Sequence, residues 1–208
     1  MSQNEEEEPI KIILLGNSGV GKTAIINKYD KNDFSKNHSP TITSNYIIKK
    51  IKVNNKTVIL NVWDTAGQER YHSISKLFLK KSHIAILVYD VTNKKSFEDL
   101  SIWYEFIQNN LEENIILGLA GNKVDLLEED GYEEEVSQDV ATTYAQKWDA
   151  EFALLSAKID KKGIDDFFYQ LVKKYICGDN LNDSEKETHN HKLNAKDIKD
   201  SQHKSRCC

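Results

Sequence analysis

The chain has 208 residues, of which 39% are hydrophobic and 29% charged, with a formal net charge of −5. This length and apolar content suffice for one sizeable hydrophobic core. The acidic balance argues against nucleic acid as a partner, and no apolar stretch approaches the roughly 20 residues that a transmembrane helix needs.

Composition divides the chain into three parts. Residues 1–8 carry the run Glu5-Glu6-Glu7-Glu8, which favours a solvated, disordered acidic segment. Residues 177–208 are polar and lack apolar periodicity, so we predict a second disordered segment there. The folded domain is predicted over 9–176.

Strand-like and helix-like patterns alternate through this domain. The strand-like segments are 10–15, 44–53, 57–63, 83–89, 114–120 and 151–155, and the helix-like segments are 22–30, 69–80, 94–110, 137–148 and 161–176. Asn54-Asn55 marks a tight hairpin, which makes 44–53 an antiparallel edge strand. The alternation predicts an α/β fold with a six-stranded, mostly parallel sheet and helices on both faces.

A phosphate-binding motif follows the first strand. Residues 16–23 read Gly-Asn-Ser-Gly-Val-Gly-Lys-Thr, between a strand and a helix. Backbone N–H groups and the helix N-terminus converge there and suit a polyphosphate. Lys22 would pair with the β- and γ-phosphates, and the Thr23 hydroxyl would ligate Mg²⁺. The residues assigned to nucleotide binding are Asn17, Ser18, Gly19, Val20, Gly21, Lys22, Thr23 and Ala24.

The third strand delivers a second motif, Asp64-Thr65-Ala66-Gly67-Gln68, at its C-terminal end. Ligand groups collect at this edge of open α/β sheets. We expect Asp64 in the Mg²⁺ shell through water, the Gly67 N–H at a γ-phosphate oxygen, and Gln68 orienting the attacking water. The alternative makes Asp64 a turn residue and Gln68 the start of a surface helix. The phosphate loop upstream favours the first interpretation.

A base-recognition motif, Asn122-Lys123-Val124-Asp125, follows the fifth strand. The ionised Asp125 carboxylate only accepts hydrogen bonds, so it matches the N1–H and N2–H₂ donors of guanine. Adenine lacks that pair of donors and would leave a buried charge unpaired. The stem of Lys123 can cover the ring. Ser156-Ala157-Lys158 completes the base pocket, with the Ala157 N–H facing guanine O6.

These motifs in this order resemble the Ras superfamily of small GTPases, over roughly residues 9–176. Within it the chain is similar to the Rab family in the stretch 63–74, in Leu87-Val88-Tyr89-Asp90-Val91-Thr92 and in Cys207-Cys208. Tyr71-His72-Ser73 is similar to the early-endosomal Rab subgroup. The resemblance implies a P-loop GTPase fold.

The resemblance also implies residues and partners. Thr41 falls where the family's first switch binds Mg²⁺ and the γ-phosphate, and Phe34 where an aromatic packs on the guanine edge. The family's members cycle between GTP and GDP states in vesicle trafficking. Their partners are activating proteins, exchange factors, a dissociation inhibitor, the prenylation machinery and effectors.

Two segments depart from the Rab pattern. The first switch continues Ile42-Thr43-Ser44-Asn45-Tyr46 where Rabs have Ile-Gly-x-Asp-Phe, and residues 78–82 replace Tyr-Tyr-Arg-Gly-Ala. Effectors and the prenylation machinery contact both segments in the family. The Rab subfamily and the effector therefore stay open.

The chain contains three cysteines, Cys177, Cys207 and Cys208. Two adjacent cysteines cannot form a disulfide that crosslinks the folded domain, which favours a reducing compartment. Two lipid chains anchor a protein stably where one binds marginally, so we expect prenylation of Cys207 and Cys208. The protein would then lie on the cytoplasmic face of an intracellular membrane, endosomal if the subgroup holds, with a cytosolic pool. An accidental pair of cysteines is the alternative.

Three functional hypotheses follow from the sequence. The first is a Rab-like switch with slow, activator-dependent hydrolysis. The second is a self-sufficient hydrolase, which the absence of an arginine at Ser18 and the placement of Arg70 beyond Gln68 disfavour. The third is a pseudo-GTPase scaffold, disfavoured because the motif residues Lys22, Thr23, Thr41, Asp64 and Gln68 are all present.

Overall fold

The computed structural model describes residues 8–35, 45–65, 79–110 and 115–178. The strands are β1 (Ile10–Leu15), β2 (Asn45–Val53), β3 (Lys56–Asp64), β4 (Ile84–Asp90), β5 (Ile116–Asn122) and β6 (Ala150–Leu155). The helices are α1 (Lys22–Lys31), α2 (Lys94–Glu98), α3 (Leu100–Asn110), α4 (Gln138–Lys147) and α5 (161–178), with a 3₁₀ turn at Val124–Glu128.

The strands form one sheet in the order β2-β3-β1-β4-β5-β6. β2 pairs antiparallel with β3, and the other pairs are parallel. Asn54 and Asn55 turn the hairpin with positive φ angles of 49° and 66°, a conformation that Asn tolerates well. The predicted fold class is confirmed.

Residues that alternate along the strands separate two faces of the sheet. On one face, α2, α3 and α4 cover a core in which Leu87 and Leu119 pack with Trp103 and Ile107. Every residue of β4 is buried, as expected for an interior strand of a parallel sheet. Trp103 and Ile107 of α3 thus pack in the core on this face of the sheet.

Helices α1 and α5 cover the opposite face. Gly118 alternates with Leu119 on β5, and its backbone lies against Phe167 and Leu171 of α5. Tyr29 of α1 stacks on Phe168 with ring centroids 4.0 Å apart. The sheet is therefore covered on both faces, as a buried parallel sheet requires.

The structure refines several predicted boundaries. The helix predicted over 94–110 divides at Asp99, where the Ile102 N–H bonds to the Asp99 carbonyl three residues back and tightens the turn. Strand β5 extends to Asn122 because its last residues pair with β4 up to Asp90. Of the helix predicted over 69–80, residues 69–78 lie outside the described residues.

The chain divides into two units, Met1–Val172 and Lys173–Cys208. Within the second unit, residues 173–178 are described and are helical, so α5 extends two residues past the predicted 176. The disordered segments predicted over 1–8 and 177–208 otherwise stay predictions. Among the described residues, no helix is both long enough and apolar enough to cross a membrane.

Candidate functional site

The carboxyl ends of five strands, β1, β3, β4, β5 and β6, meet at one edge of the sheet because these strands run parallel. The phosphate loop and the motifs that begin at Asp64, Asn122 and Ser156 each lie at one of these ends. The edge therefore gathers segments that are distant in the chain, as open α/β sheets do at their ligand sites.

The phosphate loop turns through glycines with positive φ angles. Gly21 has φ 97° and precedes α1 as its N-cap without a side-chain cap. A Cβ at Gly21 would lie 2.2 Å from Asn122 Nδ2, and one at Gly16 would lie 2.2 Å from the Val88 carbonyl oxygen. Only glycine fits such close approaches. The uncapped first turn leaves backbone N–H groups directed into the loop, which is a favourable arrangement for an anion.

Lys22 is almost fully buried at the start of α1, at 5% exposure. Its ammonium donates to the carbonyl oxygens of Gly16 at 2.7 Å and Asn17 at 2.9 Å. These bonds extend the side chain back across the loop. The positive charge of Lys22 thus lies against the backbone at the start of the phosphate loop.

Thr23 and Asp64 come together across 41 residues of sequence. The Thr23 hydroxyl donates to Asp64 Oδ2 at 2.7 Å, and Asp64 is buried at the end of β3. Thr65 fixes this strand end through its hydroxyl, which donates to the Leu14 carbonyl of β1 at 2.5 Å. A hydroxyl and a carboxylate are hard oxygen donors of the kind that Mg²⁺ takes in small number. The pair therefore fits a magnesium site.

Asn122 links the phosphate loop to the loop after β6. Its Nδ2 donates to the Val20 carbonyl at 2.8 Å, and its Oδ1 accepts from the Ala157 N–H at 3.1 Å. The side chain is 1% exposed, so both bonds are shielded from water and breaking either would be costly. We refer to Asn122 with these two bonds as the asparagine clip.

Asp125 lies in the 3₁₀ turn after β5 and is held by Ser156. The Ser156 hydroxyl donates to Asp125 Oδ1 at 2.6 Å and accepts from the N–H groups of Lys158 and Ile159, each at 3.2 Å. Ser156 is fully buried. The orientation of the Asp125 carboxylate is therefore fixed before any base binds.

Lys158 lies beside this carboxylate. Its ammonium is 2.7 Å from Glu129 Oε1 and 3.6 Å from Asp125 Oδ2. The hydrogen bond with Glu129, supported by the charge of Asp125, raises the pKa of Lys158. The Lys158 carbonyl in turn accepts from the buried ammonium of Lys28 on α1, at 3.0 Å.

Sequence reasoning missed Asp90 and Lys28. Asp90 Oδ2 lies 2.6 Å from the Lys123 ammonium, while Asp90 Oδ1 accepts from the N–H and hydroxyl of Thr92. Lys123 adopts a left-handed backbone, with φ 71°. An acidic residue at the carboxyl end of a buried apolar strand is a signal that could have found Asp90. No pattern indicates the Lys28 contact, which spans 130 residues.

The remaining predicted residues divide by position. Ser18 and Gly19 are exposed at the tip of the loop, and Ala24 is buried in α1. Phe34 is partly buried after α1. The predicted residues Thr41, Gly67, Gln68, Cys207 and Cys208 lie outside the described residues.

Comparison with known proteins agrees with this arrangement. The sequence model of the Ras family matches residues 11–177. The chain is 33% identical to the Ras-like GTP-binding protein RYL2 of Yarrowia lipolytica, over 98% of this chain and 100% of that protein. It is 38% identical to human Ras-related protein Rab-21, over 80% of this chain and 72% of that protein.

A plant relative gives a similar match. The chain is 37% identical to Ras-related protein RABF2a of Arabidopsis thaliana, over 79% of this chain and 80% of that protein. The Ras family match over residues 11–177 includes β2 to β6 and all of β1 except its first residue, Ile10. The chain therefore belongs to the Ras family of small GTPases, in its Rab branch, whose members hydrolyse GTP to GDP.

Proposed function

We propose that this chain is a Rab-type switch that binds GTP and GDP at the edge of the sheet described above and recruits effectors in its GTP state. The asparagine clip carries the proposal. It joins the loop suited to phosphates to the loop that orients Asp125. One nucleotide spanning both loops would use the whole arrangement.

At the base end, the fixed Asp125 carboxylate would accept from guanine N1–H and N2–H₂. The stem of Lys123, drawn towards Asp90, would cover one face of the ring. The Ala157 N–H donates to Asn122 in this structure, so donation to guanine O6 requires that this N–H be shared or exchanged. Phe34 would pack on the guanine edge.

At the phosphate end, Lys22 would exchange its bonds to the Gly16 and Asn17 carbonyls for bonds to the β- and γ-phosphates. The exchange keeps the buried ammonium satisfied in both states, which avoids the cost of an unpaired buried charge. The N–H groups of the loop and of the first turn of α1 would bind the same phosphate oxygens.

Thr23 and Asp64 would hold Mg²⁺, joined by Thr41 in the GTP state. When bound, this ion neutralises charge that develops on the β- and γ-phosphate oxygens. Gln68 would orient the attacking water, and the Gly67 N–H would bind the γ-phosphate. The Thr23 hydroxyl would release its bond to Asp64 and direct a lone pair to the metal.

The proposal extends to the membrane. Two prenyl chains on Cys207 and Cys208 would anchor the protein to the cytoplasmic face of an intracellular membrane, with an endosomal membrane as our specific expectation. Each buried CH₂ contributes about 0.8 kcal/mol, so losing one of two chains weakens retention strongly. The Rab relatives support a trafficking role, with an activating protein, an exchange factor, a dissociation inhibitor, the prenylation machinery and effectors as partners.

Single-turnover hydrolysis of GTP, with and without a Rab-type activating protein, tests the switch. We expect slow intrinsic turnover, strong acceleration by the activator, and loss of that acceleration in Gln68→Leu with nucleotide affinity nearly intact. Fast turnover without activator would favour the self-sufficient hydrolase. Tight GTP binding with no turnover under either condition would favour the pseudo-GTPase scaffold.

A further inference from the structure

A group of hydrogen bonds outside the predicted site ties the phosphate loop to α3 and to its junction with α2. Asn17, the second residue of the loop, donates from Nδ2 to Asp99 Oδ2 at 2.8 Å. Trp103 donates from Nε1 to Asn17 Oδ1 at 3.2 Å. Both ends of the Asn17 amide are thus occupied by residues 82 and 86 positions away. We refer to Asn17, Asp99 and Trp103 as the loop tether.

The helical end of the tether is firmly held. Asp99 lies where α2 meets α3, and its Oδ1 accepts from the Lys95 ammonium at 2.5 Å. The hydrogen bond from Lys95, opposed by partial burial and supported by the Asn17 amide, lowers the pKa of the Asp99 carboxyl. Trp103 is buried in the core cluster that also contains residues of β1 and β4. The tether therefore anchors the loop to the rigid part of the fold.

The loop end of the tether reaches the lysine assigned to the phosphates. The carbonyl of Asn17 accepts from Lys22 Nζ at 2.9 Å. Asn17 therefore links the two: its side-chain amide bonds to Asp99 and Trp103, and its backbone carbonyl bonds to Lys22. A loop that is already held in one conformation loses less conformational entropy when its ligand binds.

We propose that Asp99 and Trp103 are positioning residues which act through Asn17 to hold the phosphate loop in its nucleotide-retaining conformation. This inference rests on the proposed function, because it presumes that the loop binds a nucleotide. The tether fixes the conformation of a loop that GDP and GTP would both occupy. Its loss should therefore accelerate the release of GDP and GTP by the same factor.

Swapping the side-chain amide of Asn17 with the carboxylate of Asp99 tests the tether. In Asn17→Asp, two carboxylates face each other. In Asp99→Asn, two amides face each other. The double variant again pairs one amide with one carboxylate, with their positions exchanged. Trp103 can donate to either side chain at position 17. For release of fluorescent GDP, we expect acceleration of about tenfold in Asn17→Asp and about threefold in Asp99→Asn, the range of one polar contact.

The double variant should release GDP within about threefold of the wild-type rate, far below the product of the two single effects, because the amide–carboxylate bond is restored. A slowly hydrolysed GTP analogue should give the same ratios. Glu98→Gln is the matched control, since it makes the same chemical change at the adjacent, exposed position, where the carboxylate faces Lys94. Its release rate should equal that of the wild type.

Multiplicative single effects in the double variant, with a wild type that binds GDP, would overturn the tether alone. A change in GTP-analogue release without a change in GDP release would also overturn it. Should Asn17→Asp retain no nucleotide, recovery of binding in the double variant supports the tether and its absence overturns it. A wild type that binds no GDP would overturn the proposed function and the tether with it.

Discussion

The two halves of the candidate site are built from different parts of the polypeptide. In the phosphate half, Lys22 bonds to backbone carbonyls and the loop conformation depends on glycines. In the base half, side chains bond to side chains, as in the pairs of Asp125 with Ser156 and Lys123 with Asp90. We infer that the first half supplies affinity for any nucleotide phosphate, whereas the second selects the base.

The asparagine clip joins the two halves. Asn122 contacts Val20 in one half and Ala157 in the other, and its amide lies against Gly21. Substitutions at the clip should weaken both phosphate binding and base recognition, whereas substitutions within one half should weaken only the function of that half. The predictions below use this difference, starting from the largest expected effect.

Gly21→Ala should have the largest effect. Its Cβ would lie 2.2 Å from Asn122 Nδ2, at a backbone φ of 97°, so it must break the clip as well as strain the loop. Strain of roughly 1–2 kcal/mol and the loss of buried hydrogen bonds worth about 1–3 kcal/mol each should weaken GDP binding by at least about 100-fold. Equilibrium titration and urea unfolding measure both losses.

Gly19→Ala is the matched control for this variant. Gly19 has a similar φ of 82°, but a Cβ there meets nothing within 4 Å. In urea unfolding of the nucleotide-free protein, Gly19→Ala should therefore lower the free energy of unfolding only by the backbone strain. Equal destabilisation of the two variants would contradict the clip.

Asp125→Asn should disturb the base half alone. The amide oxygen can still accept from Ser156, so the loop keeps its shape, but the amide cannot accept from both guanine donors. GDP affinity should fall on the order of 100-fold, while xanthosine diphosphate, which carries an oxygen at position 2, should bind better than to the wild type. Competition titrations with both nucleotides measure this change of base preference.

Glu129→Gln controls for the change of charge in this region, since Glu129 contacts Lys158 and is half exposed. It should leave base preference unchanged. Unaltered GDP affinity in Asp125→Asn would remove Asp125 from the base site.

Asp90→Asn tests whether the base half depends on a residue that sequence reasoning missed. The amide oxygen can still accept from Thr92, but the ion pair with Lys123 is lost. The stem of Lys123 should then lie less firmly over the ring, and GDP and GTP should both bind roughly three- to tenfold more weakly. Unchanged affinities beside a lower free energy of unfolding would limit Asp90 to a structural role.

Lys28→Met should have the smallest effect. Methionine keeps most of the side-chain volume of Lys28, and its loss of charge removes the cost of keeping an ammonium out of water. Loss of the bond to the Lys158 carbonyl should accelerate GDP release by no more than about threefold, since that bond only supports the base loop. Lys31→Met, on the exposed surface of the same helix, should release GDP at the wild-type rate.

The two halves also differ in how far the sequence predicts them. The phosphate half follows from consecutive residues, because the loop conformation and the helix start are local properties of residues 16–23. The fold was equally predictable, since apolar alternation identified every strand of the sheet to within two residues. Thr23 and Asp64, each predicted as a Mg²⁺ ligand, lie in contact because parallel pairing brings the ends of β1 and β3 to one edge.

The supporting contacts were not predictable in the same way. Asp90, Lys28 and Asp99 contact site residues through bonds that depend on side-chain direction and on helix packing across the sheet. A single sequence does not encode such pairs by spacing. The break at Asp99 was missed for a different reason: the pattern of residues 94–110 is continuously helical.

Competition among nucleotides tests the central claim most directly. Wild-type protein loaded with fluorescent GDP in Mg²⁺ is titrated with GDP, GTP, ADP, ATP and xanthosine diphosphate. A phosphate half that accepts any nucleotide, joined to a base half that selects guanine, predicts displacement by GDP and GTP at similar concentrations. The other three should require at least about 100-fold more, the cost of a mismatched buried polar group. Displacement by ADP or ATP at the concentrations that suffice for GDP would contradict the account.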